Sequence, residues 1–362
     1  FALGAFALLW LSGERQQDPI RIGLAVNLSG QGGTAGEYVR DGAMLAVEEI
    51  NRSGGIHGRP LDLVIRDDSN SKEGARWADA QLADAGVIVI LGHVGSENTI
   101  AGYEVLQGRE VLLFSPYVAT TRLKGLDDFF LRTSVETVQY GGAMARLLEQ
   151  KGARRVSFLV DSTNSSYTEE YVVQAQNQFS GTLFPVRLDP RRTQDWEGAI
   201  VALLEAGPDA VVLLTEVSMT GIASQKLRDQ GYDGPLLATT WAQTPDLMRY
   251  GGSAVEGISL VTFIDSAYDT PGFRHFSALV QERLKRPANA RSTRAYEAIM
   301  ILAEALRRSP ETTPKALKQA LLANRYNTLM GEVAFDRFGD VERPIYEVQV
   351  RNGEFTTRQI LK

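Results

Sequence analysis

The sequence predicts an α/β fold of two lobes, each built around a largely parallel sheet. Short β-rich runs alternate with amphipathic helical segments, which is the pattern of βαβ units. Two runs, 87–91 and 210–214, are continuously apolar, as expected of strands buried on both faces. The alternation begins a second time near residue 137, and 362 residues exceed the usual size of one domain.

The first half of the chain carries four predicted strands and two predicted helices. The first strand alternates apolar and polar residues and ends in the turn 27–30. The helix that follows has apolar residues at helical spacing and stops at Gly54-Gly55. Strands are predicted over 20–26, 61–65, 87–91 and 111–114, and helices over 37–52 and 72–85.

The second half repeats the pattern in kind, and Asn352-Gly353 predicts a hairpin turn between its last two strands. Short joints near 132–137 and 262–267 indicate a hinge between the lobes, since no flexible linker separates them. Helices are predicted over 139–151, 169–179, 196–206, 221–230, 272–285, 293–307 and 314–323, and strands over 155–160, 210–214, 235–238, 345–350 and 356–360.

The first eleven residues contain no charge and are too few to span a bilayer. They are typical of the apolar core of a secretory signal peptide, although an ordinary buried helix start would look similar. Leu11-Ser12-Gly13 is the tripeptide that precedes the lipidated cysteine of bacterial lipoproteins, but Glu14 stands at the cysteine position. We therefore expect residues 1–19 to be a signal-peptide remnant or linker before an exported body.

Composition excludes several classes of function. The chain has 38 Lys+Arg against 44 Asp+Glu, a net charge of −6, whereas nucleic-acid binding usually shows as an excess of basic residues. It has no cysteine, which excludes disulfides, thiolate nucleophiles and iron–sulfur clusters.

A glycine-rich turn after the first strand weakly matches the dinucleotide-binding fingerprint through Gly30, Gly32 and Ala35. That fingerprint also needs an acidic residue about 20 positions later. Asp67 and Asp68 come too late for this role. We therefore predict no cofactor.

The three histidines do not form a metal or catalytic site in the sequence. His57, His93 and His275 are not at metal-ligand spacing, so no metal site is predicted. Ser96 lies three residues after His93, but a catalytic triad is defined by geometry rather than by proximity in sequence. We interpret His93 as a structural imidazole and predict that the protein is not an enzyme.

Small polar residues follow most of the predicted strands. Ligands of open α/β sheets bind outside the carboxyl ends of the strands, and hydroxyls and free N–H groups there suit an anion. Tyr117, Tyr167 and Trp241 would add apolar walls. The simplest interpretation is a binding cleft between two lobes, lined by 27–29, 92–96, 115–117, 161–164, 215–216 and 239–241.

An ordered set of motifs resembles the periplasmic solute-binding proteins of the leucine/isoleucine/valine-binding type, which serve ABC importers. The likeness runs from about Ile20 to the C-terminus. Its motifs are Ile22-Gly23-Leu24 with Leu28-Ser29-Gly30, Gly42-Ala43 with Ile50-Asn51 and Gly54-Gly55-Ile56, Asp67-Asp68, Ile90-Leu91-Gly92-His93 with Ser96 and Thr99, Ser115-Pro116, Leu131-Arg132-Thr133, and Gly331 to Asp336 with Gly339-Asp340.

The resemblance implies the type I periplasmic binding protein fold, two Rossmann-like α/β lobes joined by a three-segment hinge that close on a ligand. Carried over, the first lobe comprises 20–134 and 266–334, and the second comprises 137–263 and 342–362. The implied location is periplasmic or extracytoplasmic, with membrane anchoring if the apolar N-terminus is retained. The implied partners are a small-molecule ligand and the permease of an ABC transporter, and the implied state is a monomer.

The resemblance also implies a site for the carboxylate of an amino acid. The family uses a serine after the G-H motif, which matches Ser96, and main-chain groups with a hydroxyl after S/T-P, which match Tyr117 and Ala119. Ala119 replaces the usual threonine, although Thr120 follows it directly. The family tyrosine of the second lobe matches Tyr167.

The implied ammonium site departs from the family. The ammonium-binding glutamate falls near Thr240, and the second tyrosine falls near Glu216. If Glu216 faces the cleft, it favours an ammonium-bearing ligand, because a buried charge needs a partner. If it only caps the strand end, Tyr117 and Trp241 could wall a carboxylate without an amine, such as an aromatic acid.

The predicted function is the extracytoplasmic solute-binding component of an ABC importer, for an amino acid or a related small carboxylate. Related binding proteins also take amides, ureas and aromatic acids, so the resemblance does not name the ligand. The alternative is the ligand-sensing domain of a receptor or regulator, because the same fold serves both roles.

Overall fold

The computed structural model of the chain describes residues 18–29, 33–191 and 195–361. The predictions made for residues 1–17 therefore lie outside the described residues, as do Gly30 and Gly32 of the glycine-rich turn.

The first sheet has five parallel strands in the order β2-β1-β3-β4-β5. β3 and β4 are fully buried, which explains their continuous apolar sequences. The strands are β1 (Ile20–Val26), β2 (Leu61–Asp67), β3 (Val89–Gly92), β4 (Leu112–Ser115) and β5 (Phe130–Arg132).

The second sheet has seven strands in the order β14-β13-β10-β9-β8-β6-β7. Its last two strands run antiparallel to their neighbours and form a hairpin, in which Asn352 and Gly353 both have positive φ. The strands are β6 (Arg155–Asp161), β7 (Thr182–Leu188), β8 (Ala210–Leu214), β9 (Leu236–Thr239), β10 (Ser259–Thr262), β13 (Tyr346–Arg351) and β14 (Glu354–Ile360), while β11 (Arg325–Thr328) and β12 (Gly331–Ala334) form a separate two-stranded sheet.

Helices pack around both sheets, and some of them also pack against one another, as α1 does against α10 and α4 against α5. None of those in the described part of the chain combines the length and apolarity of a membrane span. The α-helices are α1 (Gly33–Arg52), α2 (Lys72–Asp84), α3 (Ser96–Leu106), α4 (Thr137–Gln150), α5 (Ser165–Gln178), α6 (Trp196–Glu205), α7 (Val217–Asp229), α8 (Asp246–Gly251), α9 (Pro271–Leu284), α10 (Ala290–Arg308) and α11 (Pro314–Ala323).

In the part of the chain that the structure describes, three connections join the two lobes, through residues 133–136, 263–270 and 335–345. The first lobe is the five-stranded sheet with α1–α3 and the later elements α9–α11, and the second lobe is the seven-stranded sheet with α4–α8. A buried ion pair ties the start of the first connection to the third, since Arg132 Nε lies 2.7 Å from Asp340 Oδ1. The two-lobed α/β fold expected from the sequence is therefore confirmed.

Several elements were not predicted. They include β5, β10, the helix α3, and β7, which lies at the sheet edge and contains Pro185. Proline is tolerated at an edge because its missing N–H leaves no internal hydrogen bond unmade. The helix α10 also begins at Ala290, three residues before its predicted start, because Asn289 caps it.

Candidate functional site

Two adjoining cavities lie between the lobes, at the carboxyl ends of the strands. An outer cavity of about 240 Å³ and an inner cavity of about 30 Å³ share Val94, Asn164, Trp241 and Arg291 as lining residues. We call them the outer and inner cavities. Asn70 and Glu97 of the first lobe and Asp161 and Glu216 of the second lobe line the outer one.

Most of the residues proposed from the sequence meet at these cavities. Six line the inner cavity, and Trp241 lines both. Glu216 lines only the outer one. Thr120 is different, because its hydroxyl donates to Glu170 Oε1 at 2.7 Å and its residue lies outside the lining of both cavities. The six residues of the inner cavity are Ser96, Tyr117, Ala119, Tyr167, Thr240 and Trp241.

A fully buried histidine anchors the loop that leads to Ser96. His93 Nδ1 lies 2.6 Å from Asp68 Oδ2, and its Nε2 lies 3.1 Å from Asp79 Oδ1. Burial alone would lower the pKa of His93, but the two carboxylates outweigh burial and raise it to about 10. Both ring nitrogens are occupied, so His93 cannot act as a base toward Ser96, in agreement with its interpretation as structural.

Aromatic rings form the walls of the inner cavity. The rings of Tyr167 and Trp241 meet edge to face, with centroids 5.8 Å apart. Tyr140 stacks on Tyr171 behind them at 6.2 Å. The Tyr117 hydroxyl donates to the backbone oxygen of Arg291 at 2.7 Å. This bond fixes the Tyr117 ring against α10. These planar walls suit an apolar or aromatic ligand body.

Glu216 has features of both interpretations that the sequence left open, a residue facing the cleft and a cap. It lines the outer cavity, yet its Oε1 also caps α7 by accepting from the Met219 N–H at 2.9 Å and from the Ser218 hydroxyl. Asp161 lies near it, and burial, followed by the smaller effect of the Glu216 charge, raises the pKa of Asp161 to about 6. The outer cavity thus carries acidic groups that the inner cavity lacks.

Two buried arginines of α10 complete the inner cavity, and sequence reasoning missed them. Arg291 donates to the Trp241 backbone oxygen at 2.9 Å, and Arg294 donates to the Ser134 hydroxyl at 3.2 Å and to the Pro116 backbone oxygen. Nε of each has no hydrogen-bond partner. The charged, polar sequence of this first helical turn was the available signal.

Two glutamates form hydrogen bonds between the lobes. Glu97 of α3 accepts from the Ser166 N–H at 2.8 Å and from the hydroxyls of Ser165 and Ser166 at 2.6 Å. Glu170 of α5 accepts from the Thr121 N–H at 2.7 Å, besides its bond to Thr120. Each carboxylate therefore bridges the cleft beside the cavities.

Among residues 18–29, 33–191 and 195–361, no group of three or more histidine or acidic side chains could hold a metal ion. The side chains that line the cavities offer hydrogen bonds, charges and aromatic faces to a ligand.

Comparison with known proteins supports this description. The leucine-, isoleucine-, valine-, threonine-, and alanine-binding protein of Pseudomonas aeruginosa is 23% identical over 330 residues, covering 90% of this chain and 88% of the relative. The leucine-specific-binding protein of Salmonella typhimurium is 23% identical over 345 residues, covering 94% and 93%. Both relatives are named as binding proteins, which agrees with the prediction that this chain is not an enzyme.

Solved structures share the fold. The leucine binding protein of Thermotoga maritima superimposes with a TM-score of 0.88 at 23% identity, covering 95% of this chain and 99% of that one. A solute binding protein of R. palustris in complex with benzoate gives 0.82 at 16% identity, covering 95% and 96%. The sequence profile described as "Periplasmic binding protein" matches residues 19–354. The chain therefore belongs to the periplasmic binding protein family, as an extracytoplasmic type I member of the leucine/isoleucine/valine-binding group.

Proposed function

We propose that the protein is the solute-binding component of an ABC importer and takes an amino acid or a related small carboxylate between its lobes. One observation carries the proposal: both lobes supply side chains to the same pair of cavities, so a solute there would contact both at once. Contacts that exist only when the lobes meet are what drive closure on a ligand.

The related proteins support this solute class. Relatives are named for leucine, isoleucine, valine, threonine and alanine, and a structural neighbour holds benzoate. These ligands share a carboxylate on an apolar body, and the inner cavity offers polar groups among aromatic walls. We propose a permease as the membrane partner, a monomeric state, and lobes bounded as the sequence analysis gives them.

A thermal-shift screen tests the proposal. The purified protein would be melted with amino acids, amides, aliphatic carboxylates and aromatic carboxylates. A ligand present at 100 times its dissociation constant should add about 2.7 kcal/mol to the free energy of unfolding. If only solutes without a carboxylate stabilise the protein, the proposed solute class is wrong.

The Ser96→Ala variant tests the predicted position of the ligand. Ser96 is 3% exposed and lines the inner cavity in the first turn of α3. A hydroxyl that donates to a carboxylate contributes about 1.5–3 kcal/mol, so we expect affinity to fall about tenfold or more. Isothermal titration with the best carboxylate measures the change.

The control for this variant is Ser253→Ala, because Ser253 is exposed on the second lobe away from the cavities. It should bind as the wild type does. Equal affinities for all three proteins would show that Ser96 does not contact the ligand.

A further inference from the structure

We propose that the inner cavity binds a carboxylate whose neighbouring carbon carries no ammonium group, with Arg291 and Arg294 as its countercharges. The inference rests on the proposed function and names the ligand class within it. The protein would then bind desamino carboxylates, such as aliphatic, 2-oxo or aromatic acids, more tightly than α-amino acids.

The buried arginines of the molecule differ in whether an acid contacts them. Arg132 lies 2.7 Å from Asp340, and Arg343 lies 2.7 Å from Glu297. Arg291 and Arg294 are also buried, at 5% and 4% exposure. Within the described residues neither forms an ion pair, and the acids whose charges act on them lie farther away, Glu216 and Asp246 for Arg291 and Glu297 for Arg294. A buried charge without a partner is costly, so an anion bound beside them would supply what the protein does not.

Both guanidinium groups are held in place without direct contact to an acid. The guanidinium carbon of Arg294 lies 4.6 Å from the Tyr117 ring centroid and 4.7 Å from that of Phe263. Such cation–π contacts orient the charge but do not neutralise it. Arg291 is held by the Trp241 backbone oxygen. Both guanidinium groups are thus arranged for an anion before it arrives.

Neutral hydroxyls lie at the same cavity as the two arginines. The hydroxyls of Tyr140, Tyr167 and Thr240 are buried at this cavity. Apart from weak contacts of Tyr140 with Ser134 and Thr240 and of Tyr167 with Thr239, they have no hydrogen-bond partner. Burial raises the pKa of Tyr140 to about 12, so its hydroxyl keeps a proton to donate. Several donors and two cations around one small space match the two oxygens of a carboxylate.

The inner cavity offers no countercharge to an ammonium group. Within the described residues, no acidic side chain lines the inner cavity. The acids of the outer cavity already have partners: Glu97 is bonded to Lys72 and to the start of α5, Glu216 caps α7, and Asp161 accepts from the Thr163 N–H at 2.8 Å. An ammonium group on the carbon next to the carboxylate would therefore lie beside two arginines and find no acid free of other partners.

Cavity size sets how the ligand would lie. The inner cavity of about 30 Å³ holds little more than a carboxylate, while the outer cavity of about 240 Å³ can take the rest of a small molecule. Trp241 lines both cavities and would flank the junction. The ligand would enter carboxylate first, with its body on the aromatic wall.

Matched ligand pairs test the inference on the wild-type protein. Isothermal titration would compare 4-methylpentanoate with leucine, and 3-phenylpropanoate with phenylalanine, which differ only by the α-amino group. In the pair that the protein binds more tightly, we expect the desamino acid to bind at least tenfold more tightly than the amino acid. Tighter binding of the amino acids would overturn this inference and leave the proposed function standing, while no binding by any carboxylate would overturn both.

Removal of the ligand's charge tests the arginines without altering the protein. 4-Methylpentanamide has nearly the shape of 4-methylpentanoate but no negative charge, so it should bind at least tenfold more weakly. Equal affinity of the amide and the acid would contradict a role for the two arginines as countercharges.

Protein variants then assign the charge to particular residues. Arg291→Gln and Arg294→Gln should each weaken the carboxylate at least tenfold and the amide much less. Arg358→Gln is the matched control, because Arg358 is exposed on β14. If either cavity variant fails to fold, Tyr140→Phe keeps the ring and removes only the hydroxyl. Unchanged carboxylate affinity in that variant would overturn the proposed donor set.

Discussion

Replacement of His93 by leucine is expected to lower the free energy of unfolding by about 3–5 kcal/mol, the effect of removing one partner from a buried charge pair. The imidazole lies between Asp68 and Asp79, and all three side chains are at most 1% exposed. Leucine would leave two buried carboxylates without a cation. Urea denaturation at pH 7 measures the difference.

The same site predicts how stability changes with pH. The pKa of His93 is about 10 in the folded protein against an ordinary value of 6.5, because the effect of the two carboxylates exceeds that of burial. The stabilising charge is therefore fully present below about pH 6.5 and is lost as the pH rises toward 10. Wild-type protein should lose this part of its stability over that window, and His93→Leu should not.

His275→Leu is the control for His93→Leu. His275 contacts Glu49 at 3.0 Å with 58% of its side chain exposed, and surface pairs contribute at most about 1 kcal/mol. If both variants lose the same small amount, the buried histidine does not hold the loop that carries Ser96.

Glu97→Gln is expected to weaken ligand binding about tenfold while the protein stays folded. Glu97 accepts three hydrogen bonds from Ser165 and Ser166 across the cleft, and its charge strengthens them. Weakening these bonds should destabilise the closed state, in which the lobes are together, by about 1.5 kcal/mol, which lowers the affinity for the ligand about tenfold. Isothermal titration measures the affinity, and small-angle X-ray scattering should show a larger radius of gyration in the unliganded variant.

The pH dependence of this contact has the opposite sign to that of His93. Burial alone would raise the pKa of Glu97, but hydrogen bonds from Lys72 and from Ser165 and Ser166 outweigh burial and lower it to about 2 from an ordinary 4.5. The interlobe contact is therefore intact above about pH 4.5 and is lost as the pH falls toward 2.

Glu104→Gln on the same helix is the matched control for Glu97→Gln. Glu104 is half exposed and pairs with Arg76 at 2.9 Å, within the first lobe. It should leave affinity and radius of gyration unchanged. Equal affinity for Glu97→Gln would mean that the interlobe bonds do not contribute to ligand binding.

The fold could be predicted from the sequence because its strongest signals are local. Buried parallel strands such as β8 are continuous apolar runs, and the turn at Asn352-Gly353 fixes the last hairpin. The helix α3 was missed because most of it is buried against the sheet and neighbouring helices, so its apolar and polar residues show little periodicity.

The candidate site was predicted only in part. Residues that follow strands, such as Ser96 and Thr240, could be placed at the cleft by the rule that ligands bind at strand ends. Arg291 and Arg294 follow no strand, and arginines at the start of an amphipathic helix usually face water. Only the tertiary packing of α10 against the cleft shows that both are buried. Thr120 could not be excluded, because its bond to Glu170 joins residues 50 positions apart.

One measurement tests the central claim, that a small carboxylate binds between the lobes. A thermal-shift screen would compare wild-type protein with Ala119→Phe, in which a ring fills the inner cavity that Ala119 lines. A melting temperature without ligand close to that of the wild type would show that the variant folds. We predict that the best carboxylate stabilises the wild type by about 2.7 kcal/mol at 100 times its dissociation constant and leaves the variant unchanged. Equal stabilisation of both proteins would place the ligand outside the inner cavity and contradict the account.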